Sequence, residues 1–496
     1  MTAREPEQRR SADLAVPNCE HPTVVIRSLS DGNPEAIPGL RVSGLLPVPA
    51  QRGPGRHRKP ELPAASLPPA TRWQRFAKRP LFFHYNRLIA ITIVVNVAVA
   101  FAGVGVELAT NAVLVNLTVA VLIRYRHVLN GLFEAVRHIP RGWPLWLRRS
   151  ASKVYHVGGI HVGASISGTI WYIVLVACLI SDAAADPALL HSKSYCLAYA
   201  VAALLVTICV LALPVVRRRR HNLFERSHRY AGWLVLGLFW TQALLIEAED
   251  QSGVFSWDTL LGKPHPWLLL GISICILLPW KNLRRVKVSV ESPSPHVAIV
   301  DFDCRWAPFN SSSAVVSLSP LGEWHAFAAI DPPAGRRGYR VVMARAGDWT
   351  ARFIDRPPDH VWIKTGSISA LGRITGIFER VLFVATGSGI GPILTSMIGR
   401  VKTTPHLPTA LLWVARSPRK TFGDKLVDEV LELVPGAQII DTAIEGKPDM
   451  IELTYQVAVG FGADAVFCTS NRKVTLDLVR ALESRGIPTN GALFDS

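Results

Sequence analysis

The stretch VLFVATGSGIGPILTSMIGR, Val381 to Arg400, runs from an apolar segment through a glycine-rich turn into a second apolar segment with no break. Val381 to Val384 read as the first parallel strand of an α/β unit, and the residues after Pro392 as a helix. The turn between them is Thr386, Gly387, Ser388, Gly389, Ile390, Gly391 and Pro392. Its glycines accept backbone conformations that other residues resist and let the main chain approach a pyrophosphate, while Pro392 suits the first turn of a helix whose N-terminus favours anions. An ordinary glycine-rich turn has the same letters, so the rest of the chain must decide between the two.

The chain has 496 residues, a formal net charge of +17 and a mean hydropathy of +0.25, long enough for two or three domains and too apolar for an ordinary soluble enzyme. Six apolar segments, near 81–104, 107–124, 157–180, 194–216, 230–247 and 265–280, carry most of the apolarity. A spanning helix needs about 20 such residues, so the sixth is short; Asn111 and Asn116 dilute the second. Arg and Lys crowd the segments before the first span, between the second and third, between the fourth and fifth and after the sixth, whereas the other loops are short or acidic. This alternation predicts a multi-pass membrane protein with both termini in the cytosol and membrane lipid as a partner. Because the charge follows the spans and forms no single patch, nucleic acid is not an expected partner. Residues 1–80, rich in Pro, Arg and small residues, show no periodicity and read as disordered. Seven scattered cysteines point to no disulfide framework or zinc site.

Beyond Trp280 short β-rich runs give way, from about residue 380, to strands alternating with helices. The pattern predicts an antiparallel β-barrel over 281–378 and an α/β nucleotide-binding domain over 379–496, after a six-helix bundle over 81–280. The order of SPLGEWHAFAAI, YRVVMARAGDWTARF and the glycine turn resembles the ferric reductase and NADPH oxidase superfamily. HVGGIHVG, HRYAGW, GKPDM and a C-terminal FDS make the chain similar to its TmpA-type transmembrane flavoproteins. The resemblance implies a ferredoxin-reductase-like module in which His325 and Phe327 line FAD and Gly347, Trp349 and Thr350 sit where the family holds the FAD phosphates or the adjoining barrel. Ala326 and Ala328 depart from the family's HPF(T/S), and WIKTGSISALGRI replaces its GPYG; Lys364 and Arg373 there are either pyrophosphate ligands or solvated charges. It also implies that Arg416, Arg419 and Lys420 sense the 2′-phosphate of NADPH in preference to NADH, and that Phe494 covers the flavin or merely docks the tail. Cys468 is either a thiol beside the nicotinamide, our candidate catalytic residue, or a packed side chain.

The superfamily holds two hemes through histidines on the third and fifth spans. Here His156, His161 and His228 are the possible heme ligands, with His156 matching His228 better in depth. The deeper positions hold Thr169, Ile170, Leu175, Thr241 and Gln242, so at most one heme b site of that kind is expected. Across a hydrocarbon core about 30 Å thick, one heme or none favours an electron acceptor on the cytosolic side or dissolved in the membrane. The expectation is an NAD(P)H-dependent flavin oxidoreductase with a small-molecule or lipid-soluble acceptor. The alternatives are a transmembrane ferric or oxygen reductase with heme, and a non-catalytic membrane sensor or scaffold.

Overall fold

The computed structural model describes residues 66–69, 71–72, 83–184, 186–250, 255–332 and 336–492. Residues 1–65, expected to be disordered, and Phe494 lie outside the described residues.

The first half is helical: α1 (His84–Ala100), α2 (Val106–Leu122), α3 (Arg126–Arg137), α4 (Leu145–Ala151), α5 (Gly158–Asp182), α6 (Lys193–Leu211), α7 (Pro214–Arg219), α8 (His221–Asp250), α9 (Trp257–Gly262) and α10 (Pro264–Lys281). The long helices turn apolar side chains outward, as at Ile91, Val94, Val95, Leu234 and Leu277, all more than half exposed. Their polar groups pair inside: Asn96 and Asn116 exchange hydrogen bonds of 3.1 and 2.6 Å, the Trp171 indole donates to Asn96 Oδ1 at 3.0 Å, and Tyr172 donates to Gln242 at 2.8 Å. These polar groups are satisfied within the bundle, beside an apolar interior of residues such as Val113, Leu175 and Leu205, because a buried polar group without a partner is costly.

The expectation of six spans needs correction. Among the described residues three helices, α5, α6 and α8, are long and apolar enough to cross a membrane, and a fourth arises only if α2 and α3 count as one bent span. They are bent by 67°, and α1, with 17 residues, is a shorter apolar helix. The bend has a cause in sequence: after Arg124 the chain becomes amphipathic, and Phe133, Val136 and Ile139 leave the bundle to pack on the parallel sheet described next. What reads as a basic loop between spans is therefore two docked helices, α3 and α4.

The second half begins with an antiparallel sheet of β1 (Leu283–Ser294), β2 (Val297–Asp303), β3 (Ser312–Ser317), β4 (His325–Ala328), β5 (Tyr339–Ala344) and β6 (His360–Ser369), with α11 (Asp348–Asp355) between the last two. Its strand order is β4-β3-β6-β1-β2-β5, and an Ile330↔Arg340 bridge draws the two ends together into a barrel-like curl. Alternate residues such as Val286, Val288, Val300, Phe302, Val341 and Met343 fill its interior.

A parallel sheet follows: β7 (Val381–Thr386), α12 (Ile390–Thr403), β8 (Thr409–Ala415), α13 (Pro418–Phe422), α14 (Asp424–Leu433), β9 (Gln438–Asp441), α15 (Met450–Phe461), β10 (Ala465–Thr469), α16 (Arg472–Glu483) and β11 (Thr489–Ala492). The order β11-β10-β7-β8-β9 makes β7 central, as the fully apolar VLFVA run predicts for a strand covered on both faces. All five strands are parallel, and the direction in which successive strands are added reverses between β7 and β10, so the crevice at their carboxyl ends is where such sheets bind ligands.

Candidate nucleotide and flavin site

The glycine turn lies in that crevice. Gly387 has φ +52°, a left-handed conformation that favours glycine, and open space lies where its side chain would project. Its carbonyl accepts a 3.0 Å hydrogen bond from the indole of the fully buried Trp413, which fixes the turn from the neighbouring strand. The Thr386 and Ser470 hydroxyls meet across the crevice, tying the end of β7 to the residue after β10. Ile390 is buried, Pro392 lies in the first turn of α12, and Ser388 is half-buried at the mouth.

The other two glycines serve the protein's own packing. A Cβ on Gly389 would overlap the Thr469 carbonyl oxygen, and one on Gly391 would press on Val342 Cβ at 3.2 Å. Gly391 thus lets the nucleotide-type turn settle on β5 of the antiparallel sheet. A second bond, from the Thr395 hydroxyl to the Ala329 carbonyl, joins α12 to the end of β4. Trp413, Val342 and Thr395 escape a motif-based reading; a tryptophan in the all-apolar run LLWVA is the one mark that any of them leaves in sequence.

The flavin-type residues come together on the other side of this contact. Trp349 is buried, with its ring centre 4.5 Å from that of His325, 5.9 Å from Phe327 and 5.4 Å from Phe353. Burial lowers the His325 imidazole pKa against the opposing pull of Glu225 and Glu323, and its Nε2 has no hydrogen-bond partner among the described residues. Thr350 is engaged locally: its Oγ1 accepts from the backbone N–H of Ala346 and Gly347 at 2.9 and 3.1 Å and donates to the Gly347 carbonyl at 3.0 Å. Thr350 therefore builds the first turn of α11, and Asp348 places a negative charge there. Arg373 is paired with Glu134 of α3 at 2.7 Å.

Of the residues expected at the 2′-phosphate, Arg419 is held by Asp424 at 2.9 Å and Asp428 at 2.7 Å, while Arg416 and Lys420 are exposed. Cys468 is fully buried in the apolar cluster behind β10, and burial pushes its thiol up to about 12. That environment is the one of a packed cysteine, not of a thiol open to a nicotinamide ring.

The histidines pair differently from the expectation by depth. His156 stacks on His84, with ring centres 6.2 Å apart, and His161 faces His228 at 6.2 Å. The Nδ1 of His161 is bonded to the Ala120 carbonyl at 2.9 Å, which leaves Nε2 free. His156 precedes α5 in a tight turn beside Lys153, and burial pushes its pKa down to about 3. Deeper in, Gln242 is taken by Tyr172 and Thr169 approaches the Cys209 sulfur at 3.3 Å. Just after His228, Arg229 donates to the Gly322 carbonyl at 2.6 Å in the loop that leads to His325, so the histidine-bearing helix grips the flavin-type loop directly.

Residues 371–496 match the family model described as the adenylate-forming reductase 03009 C-terminal domain. Adenylate-forming reductase 03009 of Coprinopsis cinerea is 38% identical over 432 residues, covering 85% of this chain and 41% of that protein. Adenylate-forming reductase 06235 of the same organism is 36% identical over 429 residues, with the same two coverages. The chain thus spans about two fifths of the length of these relatives, both of them reductases by name. Among solved structures, phthalate dioxygenase reductase, described as a modular structure for electron transfer from pyridine nucleotides to [2Fe-2S], aligns with a TM-score of 0.34 at 18% identity, covering 43% of this chain and 69% of that one. The sequence matches carry the name of adenylate-forming reductases and not of the TmpA-type branch that the motifs led us to expect: this chain is similar to the reductases of Coprinopsis cinerea over most of its own length and less than half of theirs.

Proposed function

We propose that the chain is a membrane-embedded NAD(P)H-dependent flavin oxidoreductase, in which a nicotinamide nucleotide at the Gly387–Pro392 turn gives hydride to FAD held against β4 and α11. The observation that carries this reading is the packing of the glycine turn and α12 onto Val342 and Ala329, which brings the nucleotide crevice beside the His325–Phe327 strand. FAD would supply a two-electron acceptor able to release electrons singly. His325 and Phe327 would flank it, and the backbone N–H groups around Gly387 and Ser388 would orient the nucleotide diphosphate. Arg416 and Lys420 are the cations left to meet a 2′-phosphate, which favours NADPH. The electron acceptor is a small molecule on the cytosolic side or a lipid-soluble one, both termini being cytosolic. Anaerobic NADPH added to purified, FAD-loaded protein should bleach the flavin band; oxidised flavin that persists under excess NADPH and NADH contradicts the reading.

A second reading rests on His161 and His228. Their spacing, with His161 Nδ1 already engaged, suits one heme iron between the two remaining nitrogens, and such a group would supply a one-electron relay into the bundle. It predicts one heme per chain in a pyridine hemochrome assay, lost in His161→Ala and His228→Ala and retained in His156→Ala.

A further inference from the structure

The seam between the helical bundle and the antiparallel sheet holds a cation to which the hydride-transfer reading above gives no role. Lys364 of β6 lies opposite Leu283, two residues after α10 ends, and opposite Val315 of β3. Its ammonium stands 4.9 Å from the centre of the Trp280 ring and 4.3 Å from that of Trp324. Among the described residues no oxygen accepts from it. Trp280 is in the last turn of α10 and Trp324 in the β3–β4 loop, so the two indoles wall the ammonium from the bundle side and the sheet side.

A second cation converges on the same loop. Arg126, at the start of α3, donates to the Thr365 carbonyl at 2.8 Å, while its buried Nε has no partner among the described residues. The chain makes room for this guanidinium: Gly366 has φ +129°, and a Cβ there would overlap it. Burial first, then the positive charges of Arg229 and Arg126, pushes the Lys364 ammonium down to about 8. Arg229 itself is neutralised by Glu225. Facing rings offset part of the cost of a half-buried ammonium, and an ammonium without an oxygen acceptor next along the strand from the residue that Arg126 grips is chemistry that suits an anion.

We propose that Lys364, between Trp280 and Trp324, and Arg126, held at the adjacent Thr365 carbonyl, form a binding site for a phosphate group. Two bearers have this chemistry at this depth. One is an acidic phospholipid of the leaflet next to the sheet, whose headgroup level suits interfacial tryptophans and basic residues. The other is the diphosphate of the flavin. The lipid source rests on the reading of the bundle as membrane-embedded; the site itself does not depend on turnover.

The test uses the full chain in nanodiscs of phosphatidylcholine with phosphatidylserine, comparing wild type with Lys364→Gln, Lys364→Arg and, as a control on the exposed basic run, Arg219→Gln. Phosphatidylserine retained through detergent extraction is measured by mass spectrometry, and FAD affinity by quenching of flavin fluorescence. Loss of one charge-assisted contact should weaken the bound phosphate about tenfold in Lys364→Gln, with recovery in Lys364→Arg. Loss of retained lipid with FAD affinity unchanged assigns the lipid source; weakened FAD with lipid retained assigns the flavin. A Lys364→Gln protein unchanged in both overturns the site, as does an equal lipid loss in Arg219→Gln, which would show diffuse attraction to the basic surface. Wild-type protein that fails to enter nanodiscs removes the membrane reading and the lipid source together, leaving the flavin measurement to decide the site.

Discussion

At the residue scale the glycine turn separates two requirements that a motif merges. Gly387 faces open space, whereas the Thr469 carbonyl leaves no room for a side chain at Gly389 and Val342 leaves little at Gly391. Gly389→Val would therefore damage the fold before it tested nucleotide binding; overpacking of this kind costs about 1–3 kcal/mol, read as a lowered melting temperature. Ser388→Asp is the cleaner probe. Its carboxylate would stand where the diphosphate is held, and like-charge repulsion should weaken NADPH about tenfold or more in a binding titration while leaving the melting temperature unchanged. Unaltered affinity would place the nucleotide elsewhere. Cys468 tests the opposite case: buried and protonated, it should resist iodoacetamide in the folded protein, and Cys468→Ala should keep flavin reduction within a few-fold of wild type. The turn is legible in sequence because glycine and proline report backbone geometry directly. The role of Cys468 is not, since a strand-end thiol has the same letters whether it faces ligand or core.

At the element scale the least legible feature is the docking of the segment between α2 and α5. Its arginines and lysines read as a solvated loop, but the buried Lys153 and the partly buried Arg149 both form ion pairs with Glu483, more than 300 residues away. Lys153 is 5% exposed and donates to Glu483 at 2.8 Å, to the Thr489 carbonyl at 2.6 Å and to Asn490 at 2.9 Å, and Arg149 also pairs with Glu483. This latch ties the chain just before α5 to α16 and β11 of the parallel sheet. Truncating one side would strand a buried charge, so Glu483→Ala should destabilise by about 3–5 kcal/mol in denaturant unfolding. Burial alone would raise the Glu483 pKa; Lys153 and Arg149 outweigh it and hold the carboxyl at about 2, below its ordinary 4.5. The depressed value means that the unfolded chain binds the proton first. The stabilisation is complete above pH 4.5 and declines as pH falls towards about 2. Glu483→Gln should flatten the acid limb of stability across that window; an unchanged limb would remove the latch from the account. Charge runs reveal only that a segment is basic, and its partners come from the tertiary fold.

At the scale of the whole molecule three parts meet in a chain of contacts. The glycine turn rests on the antiparallel sheet, the sheet's β3–β4 loop is held by Arg229, and the same helix carries His228 opposite His161. The order of these parts was readable from the change of period at Trp280 and again near residue 380, because alternation and helical spacing are local properties. The number of spans was not, since apolar length cannot show where a helix bends away to dock, as α3 does. The contiguity is what a path from nicotinamide to flavin to a membrane acceptor requires, and its first step is the central claim. The most direct test is anaerobic titration of the purified full-length protein, loaded with FAD, with NADPH while the visible spectrum is recorded. The account predicts stoichiometric bleaching of the flavin band by NADPH, with Ser388→Asp requiring far more nucleotide for the same bleaching. A protein that binds no flavin, or whose bound flavin stays oxidised under excess NADPH and NADH, would contradict it.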